Sequence, residues 1–386
     1  MKYSLPVSLL CLILLSCEQP ESSSDSAAFV TLLGEDTLAV EQFHKNGNRI
    51  TARVILRSPE TTLATYELQL DDHGGIEEML KREHASGQGF ESEGEVTRTI
   101  TRSEDNLIVE SETEEGSERD TVGYEAGALP FIDMVHWPFE PALNRAMASS
   151  QDSLSQPMLA GGQLSDFVIA KIAADSMTIR HPFRGVMGVT VDERGNLRHL
   201  NAGQTTRKVD VRRVSQVDMH SIGQHFASMD REGNPFGELS GAESELFTIG
   251  EAEFNIEYGS PRKRGRTIFG EVVPWGEVWR TGANRATHFR TSHDLRIGNL
   301  DVPAGEYTLF TIPEEDGGTL MINEETGING QAYDEENDLG RVPMQIDTRS
   351  EVTEQFTIKV EGSGEDGVLN LIWDQTVFSV DFEILE

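Results

Sequence analysis

The segment 274–284 holds the residue types best suited to contact a ligand. Trp275 and Trp279 offer aromatic faces, Arg280 offers a guanidinium group and Asn284 a side-chain amide. This combination is typical of sites for a sugar or a small acidic ligand, and it makes these four residues the candidate ligand-binding set. The same segment also fits a structural Ω-like loop that is anchored by tryptophan and a buried arginine pair. The structural interpretation is the simpler one, because tryptophan in a β-rich chain usually serves packing.

Motifs for catalysis and for metal binding are absent from the sequence. It contains no Gly-x-Ser-x-Gly, no His-Glu-x-x-His and no P-loop pattern. His288 and His293 have an odd spacing that places them on opposite faces of a strand, and His220 and His225 are five residues apart on a predicted helix. The acidic run 334–338 lacks the glycine and the final glutamate of a calcium loop, so we interpret it as a solvated loop. We therefore expect no catalytic residue, no metal site and no cofactor.

The first residues resemble an export signal. A positive Met1-Lys2 start precedes an apolar run, 5–16, which suits a signal-peptide core and is too short to span a bilayer. Cys17 and a polar stretch follow, as in a bacterial lipobox. We expect 1–16 to be a signal peptide, Cys17 to be lipidated and 17–27 to form a flexible tether. The protein would then be exported and lipid-anchored in the cell envelope, with the outer membrane favoured; an ordinary secretory signal is the alternative.

Cysteine content and charge exclude several classes of protein. Cys11 and Cys17 are the two cysteines, so the part after the tether has no disulfide, no thiol nucleophile and no thiolate metal site. Lys and Arg number 32 against 66 Asp and Glu, a net charge of −34, which argues against a nucleic-acid partner. The expected partners are a membrane through lipid on Cys17, and a small ligand or an envelope protein. A basic cluster at 262–266 favours salt bridges to the acidic surface, with an anion site as the alternative.

Alternation of apolar and polar residues predicts a mainly β protein. Antiparallel strands are expected over 50–56, 66–70, 96–101 and 209–212, and a hairpin turn at 192–196. These patterns predict an N-terminal antiparallel β domain over 28–230 and a linker at 231–242, where glycine, proline and asparagine accumulate.

Three helices are predicted to interrupt the N-terminal strands. Ile76, Met79 and Leu80 have helical spacing, and a second helix is expected after Pro141. A third is expected to begin at Asp218, whose side chain suits an N-cap.

The remaining residues, 243–386, again show strand patterns. Segments 356–360 and 378–384 alternate strictly, whereas 307–312 and 368–373 are apolar on both faces, as in central strands of a sandwich. We predict a C-terminal β-sandwich or jelly-roll-like domain.

Several ordered motifs in this second domain carry a family resemblance. They are 256–261 (IEYGSP), 266–270 (RTIFG), 273–284 (VPWGEVWRTGAN), 302–313 (VPAGEYTLFTIP), 332–334 (AYD) and Trp373. Together they resemble the bacterial "domain of unknown function 2911" family over about 245–386. The resemblance implies a domain and an envelope compartment, and it implies no activity.

The leading hypothesis is an uncharacterised, lipid-anchored, non-catalytic binding or structural module of the cell envelope. Two alternatives stay open. One is a hydrolase of extracellular or envelope glycans, which would need the 275–284 loop to converge with carboxylates and a histidine in one cleft. The other is an apolar-ligand carrier, in which the N-terminal sheet forms a half-open barrel.

Overall fold

The computed structural model describes residues 26–113, 116–331 and 333–385. The predicted signal peptide, Cys17 and most of the tether lie outside these residues. Strand accounts for 60% of the described residues and helix for 8%, so the prediction of a mainly β protein with two successive β regions is confirmed. Neither described helix is long and apolar enough to cross a bilayer.

The first β region is one antiparallel sheet of fifteen strands, apart from a short parallel contact of β9 with β10. Its spatial order runs from β8 back to β1 and then from β15 down to β9, so that the two halves of the chain meet at β1 and β15. The strands are β1 (Ser26–Leu33), β2 (Asp36–Asn46), β3 (Arg49–Leu56), β4 (Thr62–Leu70), β5 (Ile76–His84), β6 (Glu95–Ser103), β7 (Asn106–Thr113), β8 (Gly116–Gly123), β9 (Leu129–Pro130), β10 (Ser153–Ala160), β11 (Gln163–Ala173), β12 (Ser176–His181), β13 (Gly185–Val191), β14 (Leu197–Asn201) and β15 (Asp210–Val214).

The second β region has nine strands and a separate core. They are β16 (Ser240–Ile249), β17 (Ala252–Pro261), β18 (Thr287–Thr291), β19 (Leu295–Ile297), β20 (Leu300–Val302), β21 (Gly305–Glu314), β22 (Gly317–Asn323), β23 (Asp338–Ser363) and β24 (Asp366–Ile384). The long strand β23 pairs first with β22 and, from Gln345 onward, with β24. A strand that changes partners through register shifts turns a corner between two packed layers. Across that corner Tyr258 accepts a hydrogen bond from the backbone N–H of Ile358 at 3.2 Å.

Two α-helices accompany the first sheet, α1 (Phe139–Ala148) and α2 (Met219–Arg231). Both were predicted, and the Asp218 carboxylate accepts a hydrogen bond from the backbone N–H of Ser221 as an N-cap. Short 3-10 turns occupy Gly89–Glu91 and Glu335–Asn337.

The predicted helix around Ile76 is wrong, because this segment is strand β5. Leu70 pairs with Ile76 and Gln69 with Glu78, so Glu77 is the additional residue of a β-bulge. The bulge separates the buried Ile76 and Met79 by three positions instead of two. A helical spacing thus arises within an extended strand.

The first sheet curls around a packed interior. A Cβ on Gly162, in the β10–β11 turn, would lie 2.9 Å from the Asp120 carboxylate on β8, so the two ends of the sheet nearly meet. Trp137 and the apolar face of α1 fill the space inside, with Leu143 fully buried. The half-open barrel expected for a carrier therefore holds its own side chains in most of its interior. Helix α2 packs on the other face, against Ile55 and Leu63.

The two sheets touch through Arg264. Its guanidinium pairs with Asp36 on β2 at 2.9 Å, donates to the carbonyl of Phe236 at 2.8 Å and lies 3.7 Å from the centre of the Phe236 ring. The backbone N–H of Glu35 donates to the carbonyl of Arg264. A neighbouring cation, Lys263, pairs with Asp374 at 2.9 Å. The basic cluster at 262–266 thus supplies the salt bridges favoured by the sequence, and it holds the β1–β2 turn against the second sheet.

Candidate functional site

Trp279 occupies an aromatic cluster in the second domain. Its ring centre lies 5.0 Å from that of Phe356 and 6.2 Å from that of Trp373. The indole N–H donates to the carbonyl of Gly282 at 3.0 Å, and the backbone forms an antiparallel bridge with Thr311. These contacts anchor the loop to strand β21 and to the core.

Trp275, the other tryptophan of the loop, also packs against an aromatic ring. It stacks on Phe269 at 5.6 Å, with an interplanar angle of 24°. Gly270 lies against the edge of the indole, where a Cβ would approach within 2.9 Å of the ring nitrogen. Both tryptophans therefore contribute packing contacts, which favours the structural interpretation of the loop.

Arg280 and Asn284 close the loop through backbone carbonyls. One guanidinium nitrogen of Arg280 donates to the carbonyls of Asn284 at 2.7 Å and Asn329 at 3.2 Å. The Asn284 amide donates to the carbonyl of Ser240 at 3.0 Å, and its φ of 64° is one that asparagine tolerates well. Burial lowers the pKa of the Arg280 guanidinium.

The loop borders a groove between the two sheets, here called the intersheet groove, with a volume of about 640 Å³. It brings Trp279, Arg280 and Asn284 together on its wall, whereas Trp275 is not among its lining residues. The opposite wall comes from the β14–β15 connection, including Arg207 and Lys208. The charged residues that line the groove are Arg184, Arg207, Lys208, Arg266, Glu271, Glu277 and Arg280.

A second concavity, here called the barrel cleft, opens within the curled N-terminal sheet and has a volume of about 580 Å³. Strands β4 to β6 form one wall, and the 130–133 segment with β10 to β12 forms the other. Most of its lining is apolar: Tyr66, Met79, Ile100, Pro130, Phe131, Ile132, Leu159, Ala160, Phe167 and Phe183. Phe183 is 69% exposed, a high value for a large apolar side chain beside a concave surface.

Three cations border the barrel cleft, namely Lys81, Arg98 and Arg184. Lys81 pairs with Glu83 at 2.5 Å and Arg184 with Asp133 at 2.5 Å. Burial acts to raise the pKa of Asp133, but hydrogen bonding to Arg184 and the charge of Arg207 hold it below its usual value. The Nε of Arg98 is buried without a hydrogen-bond partner.

His181 lies between the apolar wall and this charged rim. Its ring centre is 4.6 Å from that of Phe167 and 5.3 Å from that of Phe131. Burial, followed by the charge of Arg184, lowers the pKa of His181 to about 4. The imidazole is therefore neutral at pH 7 and extends the aromatic surface of the cleft.

The arrangement required by the hydrolase alternative does not form in the intersheet groove, whereas a third concavity at the end of the loop is lined by Asn284 together with Glu243, Glu257 and His288. Glu271 and Glu277 border the intersheet groove, but no histidine is among its lining residues. Across the described residues no group of three His, Cys, Asp or Glu side chains is placed to hold a metal ion. In the acidic run, Asp338 accepts hydrogen bonds from Tyr333 and Arg341, so that carboxylate is engaged within the protein.

Comparison with known proteins identifies the second β region. Residues 240–382 match the family model described as "Protein of unknown function (DUF2911)". This part of the chain is a DUF2911 domain. The motif-based resemblance over about 245–386 is thereby confirmed. One residue of its motifs, Ala332, lies outside the residues that the structure describes.

One similar solved structure is a DUF1089 family protein from Pseudomonas aeruginosa. It is 10% identical, with a TM-score of 0.31, and the match covers 43% of this chain and 90% of that one. No curated protein matches the chain. The DUF2911 match covers the second sheet only, and it attaches no activity to either concavity.

The sequence did not indicate the wall of the barrel cleft that the 130–133 segment and β10 to β12 form. Phe131 and Phe183 lie in two separate connections and His181 ends strand β12, and the three show no common motif or periodicity. The one available signal was Phe183 itself, a large apolar residue in the turn between β12 and β13, where polar residues are usual.

Proposed function

We propose that this protein is a non-catalytic binding module of the cell envelope, and that its barrel cleft holds an amphipathic ligand with an apolar body and an anionic end. The observation that carries the proposal is the composition of the cleft: a mainly apolar lining with Lys81, Arg98 and Arg184 at its border. A ligand with an acyl or aromatic body would cover the apolar surface, and its acidic end would face the cations.

The size of the cleft supports a small ligand. Its volume of about 580 Å³ falls within the range of roughly 300–1,000 Å³ for small-molecule sites. Since α1 and Trp137 fill the rest of the interior, the ligand occupies the cleft and not an open barrel. This restricts the apolar-carrier hypothesis to a molecule of about drug size.

Replacement of Phe183 by serine is expected to weaken binding of a dansyl-labelled fatty acid at least tenfold. Covering a large apolar side chain is worth about 1.5–3 kcal/mol, and about 1.4 kcal/mol is a tenfold change in affinity. Fluorescence titration of the purified protein measures the dissociation constant. Because Phe183 is already largely exposed, the substitution should leave the fold intact.

Ile172→Ser is the matched control for this titration. Ile172 is 67% exposed and is not among the residues lining the cleft. Its replacement should leave the dissociation constant unchanged. Equal losses in the two variants, or no saturable binding by the unmodified protein, would show that the cleft is not the site.

We also propose that Cys17 is lipidated and anchors the protein in the envelope. The support is the sequence order of positive start, apolar run, cysteine and polar tether. Cys17→Ser should move most of the protein from the membrane fraction to the soluble fraction of fractionated cells. Cys11→Ser, within the predicted signal peptide, is the control and should leave the distribution unchanged. Retention of Cys17→Ser in the membrane fraction would contradict the anchor.

A further inference from the structure

We propose that the intersheet groove is an anion site for a phosphate-type group carrying two or more negative charges. This inference goes beyond the ligand proposed for the barrel cleft, because it assigns a second site whose cations Arg207, Lys208, Arg266 and Arg280 do not line that cleft. It concerns the groove between the β14–β15 connection and the 275–284 loop.

Cations outnumber carboxylates in the groove, whereas the chain as a whole is acidic. The five cations Arg184, Arg207, Lys208, Arg266 and Arg280 line it together with two carboxylates, Glu271 and Glu277. The whole chain has 32 Lys and Arg against 66 Asp and Glu. A cationic concavity on such an acidic protein creates a local positive potential that attracts anions.

Three of these cations form no ion pair with a carboxylate anywhere in the described chain. Arg280 donates to backbone carbonyls, as described above, and Lys208 donates to the carbonyl of Gly203 at 3.2 Å. Arg266 donates to the carbonyls of Lys263 and Arg262. Their positive charges are therefore oriented by the backbone and are not neutralised by direct contact.

Neighbouring cations also disfavour the charged forms of two groove residues, Lys208 and Arg266. Burial and then the charge of Arg266 lower the pKa of Lys208, although Glu277 acts in the opposite direction. Burial and then the charge of Arg264 lower the pKa of Arg266, with Glu354 and Asp36 opposing. A bound anion would relieve this repulsion, and its charge would be stabilised in turn.

One guanidinium donor of Arg207, a residue that lines the groove, has no hydrogen-bond partner among the described residues. Arg207 pairs with Asp133 through Nη2 at 2.5 Å, but its Nε is buried without a hydrogen-bond partner. A buried donor without a partner costs free energy, which a ligand or water can recover. Guanidinium groups suit this role because their planar donors match phosphate oxygens in pairs.

The excess of cations over carboxylates favours a multivalent anion over a single carboxylate. The groove, at about 640 Å³, also has room for a molecule attached to the phosphate. Phe183 and Arg184 line both concavities. The phosphate could therefore come from a free solute or from the headgroup of an amphipathic molecule that reaches into the barrel cleft.

Calorimetric titration of the purified full-length protein tests the site. The probes are pyrophosphate, a short-chain phosphatidic acid kept monomeric, and acetate as the monovalent control. Pyrophosphate or phosphatidic acid should bind saturably and more tightly than acetate, and binding should weaken as salt is added. Saturable binding of pyrophosphate would assign a free phosphate compound, whereas binding of phosphatidic acid alone would assign a headgroup.

Lys208→Gln should raise the dissociation constant of the probe that binds about tenfold, which is the effect of one lost charge-assisted contact. Lys359→Gln changes the same charge on the exposed face of β23, outside the groove, and should have no effect. Arg266→Gln provides a second groove variant with the same expectation. Failure of both phosphate probes to bind, or equal losses in Lys208→Gln and Lys359→Gln, would overturn the proposal.

Discussion

Replacement of Trp279 by alanine is expected to lower the free energy of unfolding by about 3 kcal/mol, the low end of the cost of removing a large aromatic residue from a core, because Trp279 is partly buried against that core. The variant loses the contacts with Phe356 and Trp373 and the indole hydrogen bond to Gly282. It also weakens the attachment of the loop to Thr311 on β21. Urea unfolding followed by circular dichroism measures the change.

Val278→Ala, at the position before Trp279, is the control. Val278 is 45% exposed, so its truncation should change stability by no more than about 0.5 kcal/mol. If Trp279→Ala were as stable as Val278→Ala, the tryptophan would not be a packing anchor. A ligand-binding role for the aromatic face would then be the better explanation of the motif.

Replacement of Glu41 by alanine is expected to cost about 3–5 kcal/mol, because it leaves two buried hydrogen-bond donors unpaired, at about 1–3 kcal/mol each, and opens a cavity. Glu41 lies on β2 with 0% of its surface exposed. Its carboxylate accepts hydrogen bonds from the backbone N–H groups of His136 and Trp137, at 2.9–3.0 Å, immediately before α1. The variant leaves these donors buried without a partner and opens a cavity where α1 enters the sheet.

Glu67→Ala on strand β4 of the same sheet makes the same chemical change at the surface. Glu67 pairs with Arg49, and both side chains are largely exposed, so the loss should stay below about 1 kcal/mol. Thermal and urea unfolding of the two variants give the comparison. Similar small losses in both would mean that the Glu41 network does not hold α1 inside the sheet.

The sequence was most informative where the evidence is local. Alternation placed strands β3, β4 and β6 and the long C-terminal strands, because one face of each is buried along a regular period of two. Asp218 marked the start of α2, since an N-cap depends only on neighbouring backbone groups. The motifs of 256–313 identified the DUF2911 domain for the same reason, because they are contiguous runs.

Local patterns failed at β5, where one bulged residue changed the spacing of Ile76 and Met79. Of the candidate set, the structure places Trp279, Arg280 and Asn284 on one groove and leaves Trp275 in packing beside Phe269. The opposite wall of that groove, including Lys208, could not be foreseen, because it comes from the other sheet.

The amino-acid sequence alone thus determined the β content, the N-cap of α2, the family of the second domain and the absence of cysteine after residue 17. Only the tertiary structure decided which charges and aromatic rings share a concavity. Arg184 and Arg280 are far apart in the chain, and so are Lys81 and Phe183. Their meeting depends on how a fifteen-stranded sheet curls and how Arg264 docks the second sheet against it. Such long-range packing leaves no periodic trace in the residues that it brings together.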